Sequence, residues 1–228
     1  MIFAIAAALA AASAPAPCPD AATSEAFVCR AVQASADSNP KAAAEAFEQA
    51  ARTVDSSSPE AAKLLAAAGN SWIAAGEPGK AAFDLDKALA GTGLEAEQRG
   101  EALLDRARAA EAQNDFKTAR AKVNEAAQTI PRDPFLWYFS AGLAIREGDA
   151  ATAKSSIGEA LTLAPTDPTI LFEAGHVAQF AGDTVGARDY WTRVVQNAPN
   201  SEAGQAAREA LNLLPAPIKV QGQPQEPK

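Results

Sequence analysis

The chain repeats itself with a period of 34 residues. Three prolines and three alanines recur at this spacing: Pro131, Pro165, Pro199, Ala119, Ala153 and Ala187. Two residue types therefore share one period. Periods of this length are typical of solenoids, in which one small unit is stacked many times and each copy buries its apolar faces only against its neighbours.

Composition indicates that the repeated unit is helical. The 228 residues include 59 alanines but only 9 Phe, 3 Trp and 2 Tyr. Alanine is the best helix former and lets helices approach closely, whereas a β-sandwich or barrel needs β-branched and aromatic residues. We therefore expect an all-α fold.

The repeated alanines are each followed four residues later by a larger apolar residue: Val123, Ile157 and Trp191. This pattern, with its closing proline, resembles the second helix of the tetratricopeptide repeat (TPR), a helix-turn-helix unit. The first-helix pattern of that family is kept best by Leu65, Ala68, Gly69 and Trp72. The resemblance implies a helical-repeat solenoid with a concave face lined by first helices.

The register gives five repeats and a capping helix within a solenoid spanning 24–214. The repeats are placed at 24–57, 62–95, 100–133, 134–167 and 168–201, and the capping helix at 201–214. The first two steps are 38 residues long, so we expect four inserted residues in each connecting loop.

The two ends of the chain differ from the repeats. An uncharged apolar run at 2–12 with small-residue cleavage patterns predicts a signal peptide over 1–14, followed by a linker at 15–23. The alternative is a buried N-terminal helix. The run is too short to span a bilayer, so we expect a periplasmic or secreted protein with no stable membrane anchor. The Pro- and Gln-rich stretch 215–228 predicts a disordered tail.

An exported chain with two cysteines suggests a disulfide. Cys18 and Cys29 are eleven residues apart, one in the linker and one in the first predicted helix. In an oxidising compartment a bond between them would attach the linker to that helix. The alternative is a free, half-buried Cys29.

Several function classes are disfavoured. A net charge of −8 without a basic stripe argues against nucleic acid as a partner. One His and two Cys cannot supply four N or S ligands to zinc, so any metal site within one chain would have to use carboxylates. We expect neither a metal nor a cofactor. Asp84-x-Asp86 lies on a predicted helix, where such residues do not face each other. His176 is expected to have no carboxylate nearby, only Phe172, Gln179 and Phe180, so we do not expect an enzyme.

The family resemblance also implies which side chains face the groove. The predicted partner-binding residues are Phe135, Tyr138, Ile145, Arg146, Phe172, His176, Gln179, Phe180, Asn70 and Arg108. Aromatic and arginine side chains of this kind are typical of binding hot spots. The alternative is that Phe135, Tyr138 and Phe172 pack between helices.

Asn70 and Arg108 resemble part of the carboxylate clamp with which some TPR domains hold a peptide C-terminus. The clamp's lysines are missing, because Ala66 and Leu104 stand one turn earlier. A carboxylate needs several convergent donors, so the clamp activity is not carried over.

These features together predict a periplasmic TPR scaffold or adaptor that binds a peptide segment or a protein in its concave groove. Two alternatives remain open. One is a structural TPR protein of the envelope that self-associates. The other is a small-ligand or enzymatic site near His176.

Overall fold

The computed structural model describes residues 17–215, which form eleven α-helices and no strand. The helices are α1 (Ser24–Ala36), α2 (Pro40–Thr53), α3 (Pro59–Ala74), α4 (Pro78–Ala90), α5 (Ala96–Ala112), α6 (Phe116–Ala126), α7 (Pro134–Glu147), α8 (Ala150–Leu163), α9 (Pro168–Phe180), α10 (Thr184–Asn197) and α11 (Glu202–Leu213). The predicted signal peptide, 1–14, and the predicted tail beyond residue 215 lie outside the described residues.

The helices are arranged as five consecutive hairpins and a cap. Each odd-numbered helix from α1 to α9 packs against the helix that follows it, and α11 packs on α9 and α10. Two pairs of odd-numbered helices also contact each other directly, α3 with α5 and α7 with α9. We call α1, α3, α5, α7 and α9 the first-helix layer and α2, α4, α6, α8 and α10 the second-helix layer. The predicted all-α, TPR-like solenoid of five repeats and a capping helix is confirmed.

The turn within each hairpin has the same backbone form. A left-handed residue with φ between 56° and 80° occupies it in every repeat: Ser38, Gly76, Asn114, Gly148 and Gly182. The next residue donates its N–H to a carbonyl five positions back, as from Asp149 to Ala144 at 2.9 Å. This bond satisfies a helix-end carbonyl and reverses the chain in one short turn. Glycine takes this conformation without steric cost.

The expectation that the longer repeats carry their extra residues in loops is wrong. The loops before α3 and α5, 54–58 and 91–95, are only one residue longer than the loop 164–167 before α9. The first helices themselves are longer, with 16 residues in α3 and 17 in α5 against 13 in α9. The additional residues of these repeats therefore lie mainly within the helices α3 and α5.

The core follows the interfaces between neighbouring helices. The recurring alanines Ala81, Ala119, Ala153 and Ala187 are fully buried. The large residues fill the spaces beside small ones, as where the ring of Trp191 lies directly against Gly175. Alanine richness in this chain therefore reflects close helix packing.

The N-terminal segment is attached to the first repeat. Cys18 and Cys29 form a disulfide with their Cα atoms 5.7 Å apart. Arg30 also donates hydrogen bonds to the carbonyls of Pro19 and Ala21, at 3.2 and 2.9 Å. The segment before α1 is thereby held on this helix by one covalent and two polar contacts.

Candidate binding groove

A groove of about 570 Å³ crosses the first-helix layer. We call it the central groove. Five of the predicted site residues line it together: Arg108 on α5, Tyr138, Ile145 and Arg146 on α7, and His176 on α9. They converge because the first helices of successive repeats lie side by side and present equivalent positions to the same surface.

The other predicted aromatic residues lie around this groove and do not line it. Phe135 is 51% exposed, and its ring meets that of Tyr138 edge to face at 6.5 Å between centroids. Phe180 and Gln179 are exposed at the C-terminal end of α9. Phe135 and Phe180 therefore offer apolar surface beyond the groove itself.

Phe172 packs between helices, as the alternative interpretation expected for it. Its ring centroid lies 4.5 Å from that of His176 and 6.3 Å from that of Trp191. The indole nitrogen of Trp191 donates to the Phe172 carbonyl at 3.0 Å. The ring of Phe172 thus packs against that of His176 and connects the groove to the core of the fifth repeat.

Two arginines of the groove are already paired with carboxylates. Arg146 Nε lies 2.9 Å from Glu111, and Arg108 Nη1 lies 2.9 Å from Asp105. The Arg146 side chain remains 56% exposed while Glu111 is 18% exposed, so the guanidinium is oriented by its partner and still faces solvent. An arginine fixed in this way can meet a polar group with little further loss of entropy.

Asn70 does not join Arg108 in holding an external carboxylate. Asn70 Nδ2 donates to one oxygen of Asp105 at 2.8 Å, while Arg108 donates to the other oxygen. The carboxylate of Asp105 therefore already accepts hydrogen bonds from the two side chains, Asn70 and Arg108, that a clamp would use to bind a peptide terminus. Asn70 lines a separate groove of about 590 Å³ between α3 and α5, together with Asp105 and Glu101.

A carboxylate beside His176 was not anticipated. Glu173 Oε2 lies 3.8 Å from His176 Nδ1, although the sequence interpretation placed no carboxylate near this histidine. The side chains are one helical turn apart, and the i, i+3 spacing could have revealed the contact. The expectation of an isolated histidine was wrong.

Burial determines the protonation of this pair. It raises the pKa of Glu173, an effect that Arg146 opposes, and it lowers the pKa of His176. Both shifts disfavour the charged forms, so the neutral His176 ring, with one donor and one acceptor nitrogen, is favoured near pH 7. Burial, followed by the charge of Glu173, also raises the pKa of Tyr138, whose hydroxyl therefore stays protonated and can donate.

Residues 17–215 include no group of three or more His, Cys, Asp or Glu residues placed to hold a metal ion. Nor does this part of the chain contain a helix that is long and apolar enough to cross a membrane.

The comparison with known proteins identifies the fold. No family model and no curated protein sequence matches the chain. Among solved structures it is similar to PilW, described as a widely conserved type IV pilus biogenesis factor, with a TM-score of 0.70, 20% identity and coverage of 81% of this chain and 82% of PilW. Pseudomonas aeruginosa PilF gives a TM-score of 0.66 at 17% identity over 84% and 83% of the two chains. YrrB, described as a TPR protein with an unusual peptide-binding site, gives 0.59 at 17% identity over 81% and 91%. The chain therefore has the fold of tetratricopeptide repeat proteins, as the 34-residue period predicts.

Proposed function

We propose that this chain is an exported, non-catalytic adaptor that holds a segment of another protein in the central groove. The observation that carries the proposal is the convergence of Tyr138, Arg146 and His176 with Arg108 in a groove of about 570 Å³. A cavity of that size accommodates a few side chains. An aromatic residue beside oriented arginines is the composition of an interface hot spot.

The chemistry of the groove favours a partner segment with both apolar and polar groups. Tyr138 offers a large apolar face and a hydroxyl donor, and Ile145 extends the apolar surface. Arg146 faces solvent while held by Glu111, so it can orient an acidic or polar group of the partner. YrrB, which has a similar fold, is described as a TPR protein with an unusual peptide-binding site, which supports peptide binding as the function of this chain.

Export is part of the proposal and rests on different features. The apolar segment within 1–14 predicts a signal peptide, and the Cys18–Cys29 pair suits an oxidising compartment. PilW, a structural neighbour, is described as a pilus biogenesis factor, which is consistent with work at the cell envelope.

Site-specific photocrosslinking in the native host tests where the partner binds. A photoreactive amino acid at Tyr138 should give a discrete adduct with one protein. The same amino acid at Val185, which is 82% exposed on the second-helix layer, is the matched control and should give none. Adducts at Val185 but not at Tyr138 would place binding on the second-helix layer and refute the proposal.

Self-association is the second candidate, and an exposed apolar residue at the end of the array favours it. Leu213 on the capping helix is 84% exposed. A self-associating protein would show a mass that rises with concentration in light scattering and falls in Leu213→Ser. An adaptor alone would keep the mass of a monomer.

A further inference from the structure

The central groove contains one carboxylate that the arginines of the groove do not bind. Arg146 is paired with Glu111 and Arg108 with Asp105, each at 2.9 Å. Glu173 on α9 lines the same groove as a third carboxylate. Within residues 17–215 these pairings leave Glu173 without an ion pair to an arginine.

The two oxygens of Glu173 accept no hydrogen bond from residues 17–215. Oε2 lies 3.8 Å from His176 Nδ1, which is beyond hydrogen-bond distance. Oε1 lies on the α7 side, 3.2 Å from the position that a Cβ atom at Gly142 would occupy. The carboxylate therefore extends from α9 towards α7, and the absence of a side chain at Gly142 leaves the space beside it open.

Glu173 is nearly buried and still accessible from the groove. Its side chain is 14% exposed and forms part of the groove lining. A carboxylate that has lost most of its hydration and accepts no hydrogen bond is costly, because nothing replaces the water. A donor that enters the central groove can replace it.

We propose that the central groove binds an arginine side chain of the partner segment, whose guanidinium donates two parallel hydrogen bonds to Glu173. The inference rests on the proposed function and names the residue that the adaptor recognises. Two oxygens without donors match the guanidinium fork. Tyr138 and His176 line the same groove and offer rings on which a planar guanidinium can stack. A guanidinium is also more weakly hydrated than an ammonium, so it enters a nearly buried site at lower cost.

The charges around Glu173 are compatible with a third arginine. Arg146 and Arg108 are each neutralised by their own carboxylate. With Glu173 ionised, three negative and two positive side chains give this set a net charge of −1. A bound guanidinium would bring the set to zero.

The affinity for arginine should decrease as the pH falls. Burial raises the pKa of Glu173 above its ordinary value of 4.5, an effect that Arg146 opposes, and a proton competes with the guanidinium for the carboxylate. His176 also becomes charged at low pH, although burial lowers its pKa. The titratable groups on the neighbouring helices that line the groove are Arg108, Glu111, Tyr138 and Arg146. The decrease should persist in His176→Gln, and its loss there would contradict the assignment to Glu173.

An NMR titration of the full chain tests the proposal with N-acetyl-arginine amide as the probe. We expect saturable amide shifts at Glu173 and Gly142 at pH 7, and no saturable shifts with the uncharged isostere N-acetyl-citrulline amide. Glu173→Gln should weaken binding at least about tenfold with its helical circular dichroism unchanged. Glu159→Gln is the matched control, because it removes the same charge from an exposed position on α8, and it should bind as wild type does.

A second measurement connects the site to the partner. With the photoreactive amino acid at Tyr138, Glu173→Gln should lower the yield of the adduct severalfold, and Glu159→Gln should not. An unchanged yield in Glu173→Gln would overturn the inference and leave the proposed function standing. No adduct in the wild-type background would refute the proposed function, whereas saturable binding of N-acetyl-arginine amide would still support the guanidinium site.

Other outcomes of the titration would overturn the inference. Equal binding by N-acetyl-citrulline amide would show that the charge is not recognised, and equal binding by N-acetyl-lysine amide would show that the fork is not. Unchanged binding in Glu173→Gln, or the absence of saturable shifts, would exclude the site. Shifts centred on Glu101 would place the arginine in the neighbouring groove between α3 and α5 instead.

Discussion

Replacing Gly175 by alanine tests the packing of the fifth repeat. A Cβ atom at this position would lie 2.1 Å from Trp191 Nε1 and 2.5 Å from Cδ1, far inside contact distance. Trp191 is 1% exposed, and its indole donates to the Phe172 carbonyl at 3.0 Å, so it has little room to move. The methyl group must therefore displace the indole or separate α9 from α10.

The size of the effect follows from three terms. Overpacking a core costs about 1–3 kcal/mol, and loss of the indole hydrogen bond costs about 1 kcal/mol. Alanine gains about 1 kcal/mol over glycine in a helix interior. We expect Gly175→Ala to lower the free energy of unfolding by about 1–3 kcal/mol.

Urea unfolding followed by circular dichroism measures this difference, and the chain offers a matched control. Gly158 lies within α8, and a Cβ there would meet nothing within 4 Å. Gly158→Ala should therefore raise the free energy of unfolding by up to about 1 kcal/mol, through helix propensity alone. If Gly175→Ala were as stable as Gly158→Ala, the contact between Gly175 and Trp191 would not exist as described.

Three other predictions concern the disulfide, the core and the buried acid. Cys18 and Cys29 should resist alkylation in protein from an oxidising compartment until a reductant is added. Removing the bond should increase hydrogen exchange in α1 alone, at a cost of at most about 3 kcal/mol; full reactivity without reductant would refute the bridge. Trp191→Ala should cost about 3–5 kcal/mol in urea unfolding, and a cost below about 1 kcal/mol would contradict its role in the core. Asp84 has a folded-state pKa of about 6, above its ordinary value of 3.8, so its protonated form favours folding. Wild type should lose on the order of 2–3 kcal/mol relative to Asp84→Asn as pH rises from 4 to 7, and parallel pH profiles would contradict this.

The sequence predicts the fold well because the same helical pattern occurs in each repeat, so the information about the fold is redundant. Each buried alanine recurs at the same place in successive repeats, and Gly148 and Gly182 mark the same left-handed turn. Where one repeat is degenerate, its neighbours give the register. The lengths of α3 and α5 were missed because helix extension and loop insertion have the same effect on spacing.

The residues that line the central groove were predicted in part, because their positions also recur from repeat to repeat. Positions such as Tyr138 and Arg146 follow the helical register, and the structure brings them together. Contacts between repeats do not follow from local spacing. Asp84 was considered only with Asp86, whereas its close carboxylate neighbour is Glu48 on the preceding hairpin.

The affinity of the crosslinked partner for variants of the groove is the most direct test of the proposed function. Tyr138→Ala should weaken binding by about 1–3 kcal/mol, or about 5- to 150-fold, and leave the helical signal unchanged. Val185→Ala, on the opposite layer, should bind as wild type does. Unchanged affinity in Tyr138→Ala, or an equal loss in Val185→Ala, would contradict the assignment of the central groove as the binding site.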